Sequence, residues 1–276
     1  MNNKNINFVF WGTPDVASET LEILKQSGFL PSLVVTSPDT RSGRGMHTMA
    51  SPVAIFAEKN NIPCLKPEKI NSEFTLKLST LNFELFVVVA YGKILSEEII
   101  NMPKLGSINI HYSLLPKYRG ASPVESAILH GEKETGVTIQ KMVYQMDAGN
   151  VIAQEKLKIL PTETAPELRI RLIKQGGELL VKVLTPLSDG HSPLAGGEKQ
   201  EESLATFCKK IKKEDGLIDL ADDAEKNYNK FRAYSHWPRT FFFKDGKRII
   251  ITKAKLENDK FVIEKIIPEG GKEVSY

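Results

Sequence analysis

The chain has 276 residues, 41% hydrophobic and 26% charged, which suits one large domain or two modest ones of a soluble globular protein. A net charge of +3 does not by itself imply a nucleic-acid partner. Cys64 and Cys208 have no metal-ligand spacing and read as free thiols of a reducing cytosol. The polar start from Met1 to Asn7 is no secretory signal, and no apolar run approaches the ~20 residues that span a bilayer.

Residues 7–11 read as a buried first strand, and Gly12-Thr13-Pro14-Asp15 as a turn into a helix with Val16, Leu21 and Leu24 on one side. A second strand over 31–37 completes a βαβ start, which predicts a parallel sheet. The first turn lacks a full GxGxxG, so no dinucleotide is expected. Residues 38–51 form a long loop carrying Arg41, Gly43, Arg44 and Gly45. Helices are expected over 52–60 and 72–81. Residues 84–90 are the most hydrophobic strand, and Ala90-Tyr91-Gly92 lies at its carboxyl end. Ser96 reads as the N-cap of the next helix.

In Ser107-Ile108-Asn109-Ile110-His111 the alternation sends Asn109 and His111 to one face of a strand. The strand breaks at Ser113-Leu114-Leu115-Pro116, because proline cannot continue a central ladder. Gln145-Met146-Asp147-Ala148-Gly149 supplies an acid in a downstream turn. Asn, His and Asp make a workable set for acyl transfer. An amide donates to a developing oxyanion, an imidazole exchanges protons near neutral pH, and a carboxylate orients the imidazole.

A helix over 123–131, ending at a capping His130, precedes strands over 135–142 and 150–157. The helix over 165–184 is amphipathic, and Gly176-Gly177 should weaken its middle by about 1 kcal/mol per glycine. Residues 188–202 shift to Gly, Pro and charge and read as a linker, placing the domains at 1–187 and 203–276. Beyond lie a helix over 224–234, a Trp237 assigned to the core, and short strands over 240–243, 248–251 and 260–263, with Asp245-Gly246 as a hairpin signal. Lys209-Lys210-Ile211-Lys212-Lys213 reads as a solvated face.

Asn109-x-His111-x-Ser113-Leu114-Leu115-Pro116-x-Tyr118-Arg119-Gly120, followed by Asp147-x-Gly149, resembles the folate-dependent formyltransferases. Gly12-Thr13-Pro14-Asp15 and Gly43-Arg44-Gly45…Ser51-Pro52-Val53 narrow the resemblance to the members that act on methionyl-tRNA. It covers nearly the whole chain and is looser after about Leu187. It implies an α/β fold, with an N-terminal Rossmann-like domain of mostly parallel sheet and a small, shortened C-terminal OB-like β-barrel module.

The reaction so implied moves a formyl group from 10-formyltetrahydrofolate to methionyl-initiator tRNA and releases tetrahydrofolate, with Asn109, His111 and Asp147 as catalytic residues. Ser113, Leu114, Leu115 and Pro116 would line the folate site, and Ala90, Tyr91 and Gly92 would back the pterin through main-chain contacts. Arg41 and Arg44 would meet tRNA. Met46-His47-Thr48 stands where the family commonly carries lysines, which leaves Arg44 as the main candidate. The expected protein is a cytoplasmic monomer that touches no membrane and uses no metal, having neither HExxH nor paired CxxC. The alternatives are a sugar-nucleotide N-formyltransferase with the same donor and triad, a related hydrolase releasing formate, and a folate- or RNA-binding module with a relic site.

Overall fold

The protein is described from a computed structural model, over residues 6–42, 47–191, 194 and 196–276. In chain order its elements are β1 (Phe8–Gly12), α1 (Asp15–Gln26), β2 (Leu33–Val35), β3 (Thr40–Ser42), β4 (His47–Met49), α2 (Pro52–Lys59), β5 (Cys64–Leu65), α3 (Ser72–Ser79), β6 (Leu85–Val89), α4 (Glu97–Ile100) and β7 (Ser107–His111). There follow β8 (Arg119–Gly120), α5 (Pro123–Leu129), β9 (Glu134–Lys141), β10 (Val151–Lys158), α6 (Ala165–Ser188), β11 (Phe207–Cys208), α7 (Ala224–Ala233), β12 (Phe241–Lys244), β13 (Lys247–Glu257), β14 (Lys260–Pro268) and β15 (Val274–Ser275).

The chain divides into two compact units. The first comprises residues 1–111, 137–155 and 173–204, and the second 112–136, 156–172 and 205–276.

In the first unit a seven-stranded sheet has the order β10-β9-β7-β6-β1-β2-β5. The pairs from β5 to β7 are parallel, and β9 joins β7 antiparallel. Every residue of β1 and β6 is buried, as strands covered on both faces require. Val9, Trp11, Val35, Phe86 and Val88 share one core cluster with Leu78, Tyr91, Leu95 and Ile99. Each such side chain stabilises the fold by about 1.5–3 kcal/mol.

Helix α1 buries Ala17, Thr20, Leu21 and Leu24, so its inward stripe starts one residue after the expected Val16. Ser51 caps α2 by accepting from the Ala54 N–H at 3.0 Å, with Pro52 opening the helix. Ser96 caps α4 in the same way. Helix α6 runs beyond its expected end, with Pro186 in its last turns. Gly177 marks close packing rather than weakness, since a Cβ there would stand 2.6 Å from Cδ1 of Ile23.

In the second unit β8 pairs parallel with β11, and β12 to β15 form a four-stranded antiparallel sheet. Ile218, Phe242, Ile249, Ile251 and Ile266 form its core, whereas Trp237, expected inside, is half exposed. Asp245-Gly246 is the expected two-residue hairpin, with φ of 51° and 75°. Strands β13 and β14 extend well past the short runs expected. A second tight turn joins them, with Asn258 at φ 48° and Asp259 at φ 57°, and a Lys253–Glu264 ion pair at 2.8 Å holds their charged halves.

Candidate active site

In open α/β sheets ligands sit beyond the carboxyl ends of the strands, where the strand order reverses. Here the chain runs from β1 out to β2 and β5, then returns to the other side of β1 as β6, so the reversal lies between β1 and β6. Thr13, just after β1, ties these ends together. Its hydroxyl donates to the Tyr91 carbonyl at 3.2 Å and lies 3.0 Å from the Ser37 hydroxyl.

After β6 the backbone turns left-handed, with Ala90 at φ 47° and Gly92 at φ 81°. A positive φ at a non-glycine residue is uncommon and costs energy that the surrounding structure must hold. Ala90 and Gly92 are exposed there, while the Tyr91 side chain is buried and meets Trp11 edge-on at 5.2 Å. Burial pushes the Tyr91 phenol up to about 12, and its hydroxyl has no protein partner among the described residues.

One strand over, Asn109 and His111 share a face of β7. The antiparallel pairing sets Asn109 opposite Gln140 and His111 opposite Thr138, so all four side chains leave the same face of the sheet. Gln154 extends this polar strip, donating to the Thr138 hydroxyl at 2.8 Å. His111 is buried and Asn109 partly exposed.

Asp147 comes back to this strip from the turn after β9, with φ 51°, a left-handed conformation that aspartate tolerates better than most residues. Its Oδ2 lies 3.6 Å from His111 Nδ1, and its Oδ1 accepts from Gln140 Nε2 at 2.8 Å. Gln200 Nε2 holds the main chain of the turn, donating to the carbonyls of Asp147 at 2.8 Å and Gly149 at 2.7 Å. Gly149 is required by a close approach, because a Cβ would stand 1.6 Å from the Lys141 carbonyl oxygen. A buried imidazole thus lies beside a fixed carboxylate on the face that carries the Asn109 amide, a set able to exchange a proton and stabilise a developing oxyanion.

The structure therefore brings Asn109, His111 and Asp147 together, with Ala90, Tyr91 and Gly92 at the end of the neighbouring parallel strand. Ser113 to Pro116 belong to the second unit. Ser113 and Leu115 are buried there, the Ser113 hydroxyl donates to the Lys117 carbonyl at 2.6 Å, and the Leu115–Pro116 peptide is cis. The Arg41 backbone lies in β3, opposite Thr48 of β4. Arg44, with Gly43 and Gly45, lies outside the described residues.

Sequence reasoning missed Gln140 and Gln200. Gln140 had a signal, the alternation of Thr138 and Gln140 with buried Val137 and Ile139 in phase with Asn109 and His111. Gln200 had none, being one polar residue in a polar stretch. The segment read as a linker also pairs with β10, Glu198 and Val151 exchanging both main-chain hydrogen bonds at 2.8 Å.

Among the described residues no group of three His, Cys, Asp or Glu is placed to hold a metal ion, and no helix is long and apolar enough to cross a membrane.

The sequence matches the family described as Formyl transferase over residues 4–184, and that described as Formyl transferase, C-terminal domain, over 210–274. It is 43% identical over 242 residues to a methionyl-tRNA formyltransferase of Thermotoga neapolitana, covering 87% of this chain and 76% of that one. With the corresponding protein of Dictyoglomus turgidum it shares 44% identity over 266 residues, 95% of this chain and 82% of the other. The fold also matches the crystal structure of an N-formyltransferase from Helicobacter canadensis in complex with folinic acid and dTDP-3-aminofucose. The TM-score is 0.70 at 20% identity, over 98% of this chain and 99% of that one. By sequence, the chain belongs to the methionyl-tRNA formyltransferase family.

Proposed function

We propose that the protein transfers the formyl group of 10-formyltetrahydrofolate to the α-amine of methionyl-initiator tRNA, with Asn109, His111 and Asp147 as the reacting set. The observation that carries this reading is the meeting of the three side chains at one strand end, His111 Nδ1 lying 3.6 Å from Asp147 Oδ2 on the face that carries Asn109. Relatives at 43% and 44% identity, themselves called methionyl-tRNA formyltransferases, support the choice of acceptor. Folinic acid in a protein of the same fold supports a folate donor.

The neutral amine attacks the formyl carbon, a new C–N bond forms, and the carbonyl oxygen gains charge. Asn109 donates its amide to that oxygen, and protonated His111 also stabilises it. Asp147 orients His111 through Nδ1, which leaves Nε2 as the nitrogen that faces substrate. Asp147, through water, helps remove the amine proton. The bond from carbon to the folate nitrogen breaks, that nitrogen takes up a proton, and tetrahydrofolate leaves. No step uses a metal.

Ala90 and Gly92, exposed and left-handed, offer main-chain groups to the flat pterin, with Tyr91 buried behind them. Ser113, Leu114, Leu115 and Pro116 are assigned to folate binding by the resemblance of their motif. Arg41 and Arg44 meet the acceptor end of tRNA. Residues 1–187 carry the reacting set, 188–202 lead on from it and bring Gln200 to the turn of Asp147, and 203–276 help hold tRNA. The protein works as a cytoplasmic monomer.

The test supplies one donor, 10-formyltetrahydrofolate, with either methionyl-initiator tRNA or a dTDP-linked amino sugar. Formyl-methionyl-tRNA should accumulate and the sugar should stay unmodified. Transfer to the sugar alone would overturn the assignment.

A further inference from the structure

We propose that Gln140 is a positioning residue for the reaction, holding the Asp147 carboxylate with one oxygen turned to His111. The inference rests on the functional reading above and adds to it a residue outside the reacting set.

Gln140 lies in β9 directly opposite Asn109, on the face that carries His111, and is only 2% exposed. Its Nε2 donates to Asp147 Oδ1 at 2.8 Å, while Oδ2 lies 3.6 Å from His111 Nδ1. A carboxylate rotates about a single bond, so fixing Oδ1 fixes where Oδ2 points. Reversing the Gln140 amide would set one oxygen against another, so the donor orientation is dictated by its partner.

Stability alone does not explain the residue. Its neighbours Val137 and Ile139 are fully buried and apolar, and Gln140 Oε1 is buried with no protein partner among the described residues. Such an oxygen is costly to bury, and an apolar side chain would avoid the cost. What the amide provides in return is its one donation to Asp147. Asp147 is thereby held at two points, its carboxylate by Gln140 and its main-chain carbonyl by Gln200.

The test is Gln140→Met, which keeps the length of the side chain and removes the donor. Hydrogen bonds to charged groups correspond to about a 10- to 100-fold change, and kcat should fall by that factor. KM for each substrate should stay within about twofold, the pattern of an interaction used only in the transition state. Gln140→Glu, which sets a second carboxylate against Asp147, should be slower still. In the Asp147→Asn background Gln140→Met should have little further effect.

A readout free of catalysis accompanies the kinetics. In 15N-labelled protein the Gln140 side-chain amide, assigned by its loss in Gln140→Met, should shift on Asp147→Asn. A wild-type kcat in Gln140→Met, a loss seen only in KM, or full additivity with Asp147→Asn would each overturn the proposal. So would an amide resonance indifferent to Asp147→Asn. Wild-type protein that transfers no formyl group would sink the functional reading instead, and the resonance would still decide whether Gln140 holds Asp147.

Discussion

The side-chain amide of Gln200 holds the carbonyl of Asp147 at 2.8 Å, joining residues 53 positions apart in the chain. The same nitrogen serves the Gly149 carbonyl at 2.7 Å, so one buried side chain satisfies both ends of the turn. Gln200→Leu would leave both acceptors without that donor, each at a cost of about 1–3 kcal/mol. The melting temperature should fall by roughly 3–10 °C, with a parallel loss of turnover as Asp147 loosens. Thermal unfolding checks this, and a variant that melts with the wild type would show that the turn is held elsewhere.

Asn109→Ala removes an oxyanion donor from a partly exposed position. Loss of one such donor typically lowers the rate about 100- to 1,000-fold. The variant should lose that much in kcat while its circular dichroism and melting stay those of the wild type. Near-normal turnover would remove Asn109 from the reacting set.

Gly149→Ala forces a methyl group toward a carbonyl oxygen that its Cβ would meet at 1.6 Å. That contact is with backbone, so the turn must move and Asp147 moves with it. Activity should fall more steeply than melting temperature, as read by kcat beside a thermal scan. An unchanged kcat would mean that the position of Asp147 matters less than the geometry suggests.

Tyr91→Phe separates main chain from side chain. The phenol is pushed up to about 12 by burial, so the fold favours its neutral form. That contribution is complete below the ordinary value of about 10 and is lost as pH rises through the folded value. The wild type should therefore lose stability between those limits, and the Phe variant should lose less. Near neutral pH the variant should match or exceed the wild type in melting, since the hydroxyl it loses has no protein partner among the described residues. Activity should stay within about twofold if the pterin is met by main chain.

Arg44→Ala tests the proposed tRNA contact. Losing one phosphate contact should raise KM for tRNA several-fold, leave kcat alone and make the salt dependence shallower by about 0.7–0.9 in log–log slope. An unaltered salt slope would assign the arginine no phosphate.

Much of this was legible in the sequence because the physics was local. The hydrophobic runs of β1 and β6, the Ser96 cap, the Asp245-Gly246 hairpin and the alternation that puts Asn109 beside His111 are each set by a few neighbouring residues. What was not legible depends on approach between distant segments. Gly177 exists for Ile23, Gly149 for the Lys141 carbonyl, and Gln200 for a turn 53 residues earlier. Trp237 was assigned inward on residue type, but five residues from other strands and turns already fill that core. The Asn258-Asp259 hairpin was a local signal and was missed, which cost the true lengths of β13 and β14.

The most direct test of the account is the rate of formyl-methionyl-tRNA formation by Asp147→Asn beside the wild type, both saturated with 10-formyltetrahydrofolate and methionyl-initiator tRNA. Asparagine keeps the shape of the turn and removes the charge that faces His111. The account predicts rapid transfer by the wild type and a loss of at least about 100-fold in the variant. Transfer within a few-fold of wild type by Asp147→Asn would contradict the assignment of the reaction to Asn109, His111 and Asp147.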